Sequence, residues 1–470
     1  MLVSFSGSGT PAADCSGRSR RDLLRIGSLG LGGLCGLNLP LLLQARAEAA
    51  DPAFLKDRSV VVLFLAGGAS HIETFHPNMD QPAPYRSVNG EVKTRVPGLT
   101  LGGDFPLLAK QADTLTAVRS FTHTINDHER AINHVLTGGT DIPGLGRQGF
   151  GIGGAYARIR GANHPRTGLP TYALLTAPHA DGQYAKELVR VVGASRGGSL
   201  GSGSNPFVPG GSGSASANMK LNLPLRRLED RRALLRELDA ARRSDPAFDA
   251  GQAYDPYEQQ AVELITGAAA RAFDLSSEPA KLAERYDTRM FQIGKKVFQP
   301  SILGQQLLLA RRLVEAGCGF VTVQSAGWDM HADGNNPGIE AGMRMLGPTV
   351  DKALSAFLED LAQRGLLSKT LVIVTGDFGR TPAINARGGR DHWARLSTLA
   401  LFGGGIPGGR VIGSTDPKAG EPASDPVTPR NLLSAVLHTV FDVSKVRVIR
   451  GLPTDLTRTL ETRPGPLLGG

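Results

Sequence analysis

Cysteine is scarce in this sequence: three in 470 residues, and two of them, Cys15 and Cys35, lie in the first fifty. The third, Cys318, has no partner for an intrachain disulfide, and zinc held by clustered thiolates is excluded. Aromatic residues make up only 6% and do not interleave with the basic ones, which argues against a stacking surface for nucleic acid. No repeat period is visible, which argues against solenoids and propellers. Only one apolar run is long enough to suggest a membrane segment, and it lies near the N-terminus. The sequence is rich instead in glycine (60) and proline (30), in a chain that is 41% apolar and 20% charged. That is a globular composition with many turns, and it excludes disorder throughout.

Residues 1–47 read as an address. Arg20-Arg21 precedes a glycine-softened apolar run from Ile26 to Leu43, followed by Ala45-Arg46-Ala47, a small-x-small cleavage pattern. Paired arginines before a weakly apolar run point to a twin-arginine export signal and a periplasmic or extracytoplasmic destination. An uncleaved anchor is the alternative, disfavoured by the glycines and Pro40. No integral membrane segment is expected after cleavage. The twin-arginine route carries folded proteins, so a metal or cofactor acquired before export fits it.

The net charge of +9 falls once this segment is set aside, because residues 1–47 hold five arginines and two acids. The densest charged stretch, Arg226 to Arg243, alternates in sign above leucines at 225, 228, 235 and 238. That spacing describes a solvated helix face over a buried stripe, so no nucleic-acid partner is expected.

The remainder, 51–470, reads as one α/β domain with a mainly parallel central sheet flanked by helices. Ser59–Ala66 is a continuous apolar, β-branched run, the mark of a strand buried on both faces. Further strands are expected at 114–119, 170–176, 319–324, 370–375 and 397–402. Helices are expected at about 127–136, 301–316 and 346–364, and from Thr428-Pro429 to about Phe441, with Asp127 near an N-cap and Pro429 in a first turn. Residues 193–218 are Gly/Ser-rich without hydrophobic period and are expected to form a mobile surface loop. A helical insertion is expected over 224–316. The alternation of strand and helix predicts ligands beyond the carboxyl ends of the strands.

At those ends the sequence gathers histidines and carboxylates. Gly67-Gly68-Ala69-Ser70-His71-Ile72-Glu73 and His76 follow the first strand; His123, Asp127 and His128 follow the second. Trp328-Asp329-Met330-His331 and Gly376-Asp377-Phe378-Gly379-Arg380 follow two others, and Arg390-Asp391-His392 precedes the last. Neutral imidazoles with carboxylates suit zinc, manganese or iron, whereas an all-oxygen set suits calcium or magnesium. A polar rim without metal is the plain alternative. Arg380 and Arg390 flank the rim; a guanidinium there clamps a sulfate or phosphate or pairs with a neighbouring aspartate.

Together these segments, with Leu136-Thr137-Gly138 and Leu309-Ala310-Arg311-Arg312-Leu313-Val314-Glu315-Ala316-Gly317, resemble a family of exported proteins, a domain of unknown function, within the alkaline phosphatase and sulfatase superfamily. The resemblance spans most of the mature chain and implies an alkaline phosphatase-like fold. Aligning the Thr-Gly of the sulfatase motif with Thr137-Gly138 puts His128 at the nucleophile position, with Arg380 as a second catalytic candidate. The resemblance also implies metal ligands at Asp329, His331, Asp377 and His392. Where the superfamily has a metal-binding Asp after its first strand, this chain has Gly67-Gly68, so Glu73, His71 or His76 would substitute. The implied activity is metal-dependent hydrolysis of sulfate or phosphate esters, with zinc or manganese rather than calcium, on an anionic small molecule or a sulfated or phosphorylated glycan. The alternatives are a non-catalytic envelope protein that binds an anionic glycan or partner in the same cleft, and an envelope scaffold.

Overall fold

The computed structural model describes residues 52–141, 149–165, 167–177, 182–209, 227, 230 and 268–468. The expected export segment lies outside the described residues. So do residues 210–218 of the Gly/Ser-rich stretch and, apart from 227 and 230, residues 224–267 of the expected helical insertion.

Seven strands form one sheet: β1 (Ser59–Leu65), β2 (Leu115–Val118), β3 (Tyr172–Leu175), β4 (Phe320–Ser325), β5 (Thr370–Gly376), β6 (Leu399–Gly403) and β7 (Arg410–Ile412), in the spatial order β7-β2-β6-β5-β1-β4-β3. Only β6 runs against its neighbours; the other pairings are parallel. The α/β class with a mainly parallel sheet is therefore the class found. Six strands fall where the sequence placed them, and the short β7 adds an edge.

The alternation of β1 shows why its sequence is apolar throughout. Val61, Leu63 and Leu65 pack into one core with α4 (Leu303–Glu315) and α5 (Ile339–Gln363). Val60, Val62 and Phe64 pack into a second core on the opposite face, with α1 (His128–Leu136), α2 (Ile152–Arg160) and α6 (Pro429–Val440). Side chains alternate across a strand, so burial on both faces needs an unbroken apolar run.

Local chemistry fixes the helix that matters most for the site. The Asp127 side chain accepts a hydrogen bond from Arg130 N at 3.0 Å, so α1 begins at His128. At α6, Thr428 and Asn431 form a reciprocal cap with Pro429 in the first turn. Helix α5 starts at Ile339 and runs through Pro348, seven residues earlier than the sequence suggests. Burial of Met343, Leu346 and Val350 outweighs the hydrogen bond that proline removes.

Within the Gly/Ser-rich stretch, Gly198–Leu200 and Ser202–Ser204 form two 3-10 turns after α3 (Ala185–Ala194). Gly197 lies so near α2 that a Cβ on Gly154 would come within 2.9 Å of its Cα. In the segment before β4, helices Ala268–Phe273 and Ala280–Tyr286 precede a two-stranded hairpin, Gln292–Ile293 with Gln299–Pro300, and then α4. No helix among the described residues is long and apolar enough to cross a membrane.

Candidate metal centre

Strands β5, β1 and β4 are adjacent and parallel, so the chain leaves the same edge after Gly376, Leu65 and Ser325. Two of these exits and the start of α1 deliver the side chains that meet. Asp329 and His331 stand on the loop after β4. His392 sits opposite Arg380 in a short antiparallel hairpin after β5. His128 is the first residue of α1. One ligand atom from each of His128, Asp329, His331 and His392 lies within 4.8 Å of all the others, and the group could hold a metal ion.

The far side of each ring explains the convergence. His392 Nδ1 is 2.8 Å from the Asn126 carbonyl oxygen, which only accepts, so Nδ1 carries the proton. His331 Nδ1 is 3.1 Å from Asp391 Oδ1, and His128 Nδ1 is 2.5 Å from Asp377 Oδ2. With every Nδ1 donating to an acceptor behind it, each ring turns its Nε2 towards the others, where a neutral ring offers a lone pair. His331 Nε2 and His392 Nε2 lie 2.8 Å apart. His128 Nε2 is buried without a hydrogen bond, 3.4 Å from Asp329 Oδ2. Asp329 Oδ1 is 2.8 Å from His331 Nε2 and 3.5 Å from His392 Nε2. Facing lone pairs beside a carboxylate repel unless a positive charge lies among them, and three imidazoles with one carboxylate fit a borderline-soft divalent metal. The four side chains keep 13–24% of their surface exposed, so the cluster is open at one side.

The electrostatics make the same demand. Burial disfavours charge on His128, but the adjacent Asp329 and Asp377 carboxylates outweigh it and raise its pKa to about 9, so that without a metal a proton takes the positive charge and a metal ion would have to displace it. Burial also opposes ionisation of Asp329, yet His128, His331, His392 and Arg380 hold its carboxyl far below the ordinary range. Burial lowers the pKa of His392, assisted by the charges of Arg380 and His128, and favours its neutral, ligating form.

The other sequence candidates occupy different places. Asp377 is fully buried behind His128 rather than among the converging atoms, and its Oδ1 accepts from Gly67 N at 3.0 Å. Arg380 is fully buried beneath the cluster, with its Nη1 3.5 Å from His331 Nε2. Its Nε donates to Gly68 O (2.7 Å), its Nη1 to Arg390 O (3.1 Å), and its Nη2 to Gly67 O and to Asp329 Oδ1 (2.7 Å). No free fork remains for an anion. Glu73 and His71, expected to replace a missing carboxylate, do not join the cluster. Glu73 is buried, bonded to Ser70 and paired with Arg390 at 3.1 Å. His71 Nε2 is bonded to Ala419 O at 2.9 Å. Gly67 itself leaves no room for a ligand: at φ +110° its Cβ would fall 2.6 Å from Asp329 N.

Sequence reasoning missed the supporting groups. His123 Nε2 lies 2.7 Å from the Asp377 carbonyl, Asn336 Nδ2 donates to Asp329 Oδ2 at 3.1 Å, and Asn126 and Asp391 orient two of the rings. Asp391 beside His392 and Asn126 beside Asp127-His128 were the available signals.

Among solved structures the chain is similar to a sulfatase from Pseudoalteromonas sp., PsFucS1, at 12% identity and TM-score 0.39, covering 88% of this chain and 72% of that one. It is similar to the lipoteichoic acid synthase LtaP from Listeria monocytogenes, at 10% identity and TM-score 0.36, covering 89% and 81%. It is also similar to an alkaline phosphatase from the Antarctic bacterium TAB5, at 12% identity and TM-score 0.34, covering 82% and 98%. No curated protein sequence matches it significantly. The family model described as "Protein of unknown function (DUF1501)" matches residues 57–458, and the chain belongs to that family.

Proposed function

We propose that this chain is an exported, metal-dependent hydrolase of sulfate or phosphate esters, with an anionic glycan or anionic small molecule as substrate. One observation carries the reading: three imidazole Nε2 atoms, each with its Nδ1 proton committed behind it, face one another and Asp329 at an open edge of the sheet. Zinc or manganese suits that donor set better than calcium. When bound, such an ion supplies positive charge to ester oxygens and makes water more acidic.

The chain's own part is to hold and orient. Asp377 fixes the His128 tautomer; Asp391 and the Asn126 carbonyl do the same for His331 and His392. Asn336 holds one oxygen of Asp329, and Arg380 pairs with the other. On this reading His128 is a ligand in place of the carboxylate that the end of β1 lacks, and Arg380 is a strut beneath Asp329.

The test is metal analysis of the purified protein and of His392→Ala, followed by turnover of aryl sulfate and aryl phosphate. About one metal ion per chain is expected in the wild type, with near-zero metal in the variant and chelator-sensitive turnover. Equal, near-zero metal in both sinks the reading. Bound metal without turnover of either ester favours the binding protein. Export is tested separately: Arg20→Lys with Arg21→Lys should leave uncleaved precursor in the cytoplasm, and normal export of that variant overturns the twin-arginine assignment.

A further inference from the structure

The hairpin between Tyr286 and Ser301 supplies no ligand to the cluster, yet it is built with care and stands beside it. Its base is anchored: Tyr286 and Ile293 are buried in the core and Ser301 is buried as well. Its tip is held from outside. Gln183 Oε1 accepts from Lys295 N at 3.0 Å and Lys296 N at 3.3 Å, while its Nε2 donates to Val297 O at 3.0 Å. The turn requires glycine at 294, where φ is +139° and a Cβ would fall 2.0 Å from Val297 O. The tip is therefore shaped in advance, and no ordering cost falls on a binding step there.

This fixed tip presents apolar side chains to solvent. Val297 and Phe298 at the tip are 57% and 56% exposed, and Met290, before the first strand at the hairpin's base, is 59% exposed; they are three of the six large apolar side chains that are exposed among the described residues. Single exposed apolar residues are ordinary, but two adjacent ones at a fixed tip, with a third nearby in the chain, are not. Cations surround them. Arg289, Lys295 and Lys296 belong to the same segment, and Lys352 Nζ of α5 lies 3.7 Å from Met290 Sδ. The one acid between Tyr286 and Ser301, Asp287, is paired with Arg289 at 2.7 Å. The patch adjoins the cluster: Lys296 Nζ donates to Asn335 Oδ1 at 2.9 Å, and the next residue, Asn336, donates to Asp329 Oδ2.

We propose that this hairpin tip docks the protein on an anionic lipid surface, with Val297 and Phe298 entering the headgroup layer and Lys295 and Lys296 pairing with lipid phosphates. A protein partner fits less well. Lysine is depleted from the centres of protein interfaces, and three side chains fall far short of the area a stable complex buries. A soluble polyanion would use the lysines but has no need of the exposed aromatic and aliphatic groups. Apolar side chains interleaved with cations at a rigid tip are what an anionic bilayer surface selects.

The test is sedimentation of the full chain with vesicles of phosphatidylglycerol and phosphatidylcholine, against vesicles of phosphatidylcholine alone. Wild type and variants carry the same N-terminal segment, so differences between them belong to the hairpin. Binding should favour the anionic vesicles and weaken with salt. Lys295→Gln with Lys296→Gln should reduce it by about 25-fold and flatten the salt dependence, at about fivefold for each lysine. Val297→Ser with Phe298→Ser should reduce it by about tenfold or more. Lys296, Val297 and Phe298 are exposed and Lys295 is half-buried, so thermal melting should move little; a shifted melt is met by repeating the measurement with Lys296→Gln and Phe298→Ser alone. Wild type that does not distinguish the two vesicles overturns the proposal, as does either double variant binding like the wild type. So does retention on dextran sulfate that depends on the lysines and competes away all vesicle binding regardless of Val297 and Phe298, which would assign the patch to a soluble polyanion.

Discussion

Two groups of histidine and carboxylate stand at the same edge of the sheet, and they have opposite characters. After β1, His71 and Glu73 are buried and closed: the imidazole is bonded to a backbone carbonyl and the carboxylate to Ser70 and Arg390. Around His128, Asp329, His331 and His392 the polar atoms remain partly exposed and face one another. Residue type does not separate the two groups. The separation lies in where the second nitrogen of each ring is spent. When it is bonded outward to a fixed acceptor, the first points into the shared space; when the first meets a carbonyl, the ring is a strut.

Breaking the closed group should cost the fold and spare the metal. Glu73→Ala leaves the Arg390 guanidinium buried without its carboxylate, and a loss of about 3–5 kcal/mol is expected in urea unfolding. Metal content per folded chain should stay at the wild-type level; a fall in parallel with that of His392→Ala would erase the distinction.

Acid should attack the buried imidazoles next. Burial lowers the pKa of His71 and of His123 to about 4, below the 6.5 of an exposed imidazole. The unfolded chain therefore binds more protons between these values. Stability is complete above pH 6.5 and is lost as pH falls towards 4, by up to about 3 kcal/mol for each residue. Urea midpoints measured for the metal-free protein at pH 7, 5.5 and 4.5 should fall in step, and His71→Gln should flatten the slope. A flat profile in the wild type contradicts the burial assigned to both rings.

The smallest effect should come from behind the open group. Asp377→Asn keeps the shape but weakens the acceptor on His128 Nδ1, and metal affinity is expected to fall about 10–100-fold. The stability of the metal-free protein should change less than in Glu73→Ala. An unchanged affinity would remove Asp377 from the site.

Much of this was legible in the sequence, for physical reasons. Strands such as Ser59–Leu65 are buried on both faces and announce themselves as continuous apolar runs. The start of α1 is a local event, an aspartate capping its own helix, and so is readable. The ligand segments were found because they follow strand ends. Their division into ligands and struts was not, because it depends on contacts across long stretches of chain: His128 with Asp377, His392 with Asn126, Glu73 with Arg390. The antiparallel course of β6 and the passage of α5 through Pro348 are likewise set by packing rather than by local preference.

The turn at Gly67 carries a consequence for any redesign of the site. Its N–H holds Asp377, its carbonyl takes Arg380, and the space where a side chain would begin is filled by the backbone of Asp329. A single substitution to an acid at position 67 is therefore not accommodated. Such a side chain would push the Asp329 loop aside before any metal gained a ligand. Making room for a side chain there requires the loops after β1, β4 and β5 to move together, because they are packed against or bonded to the same turn.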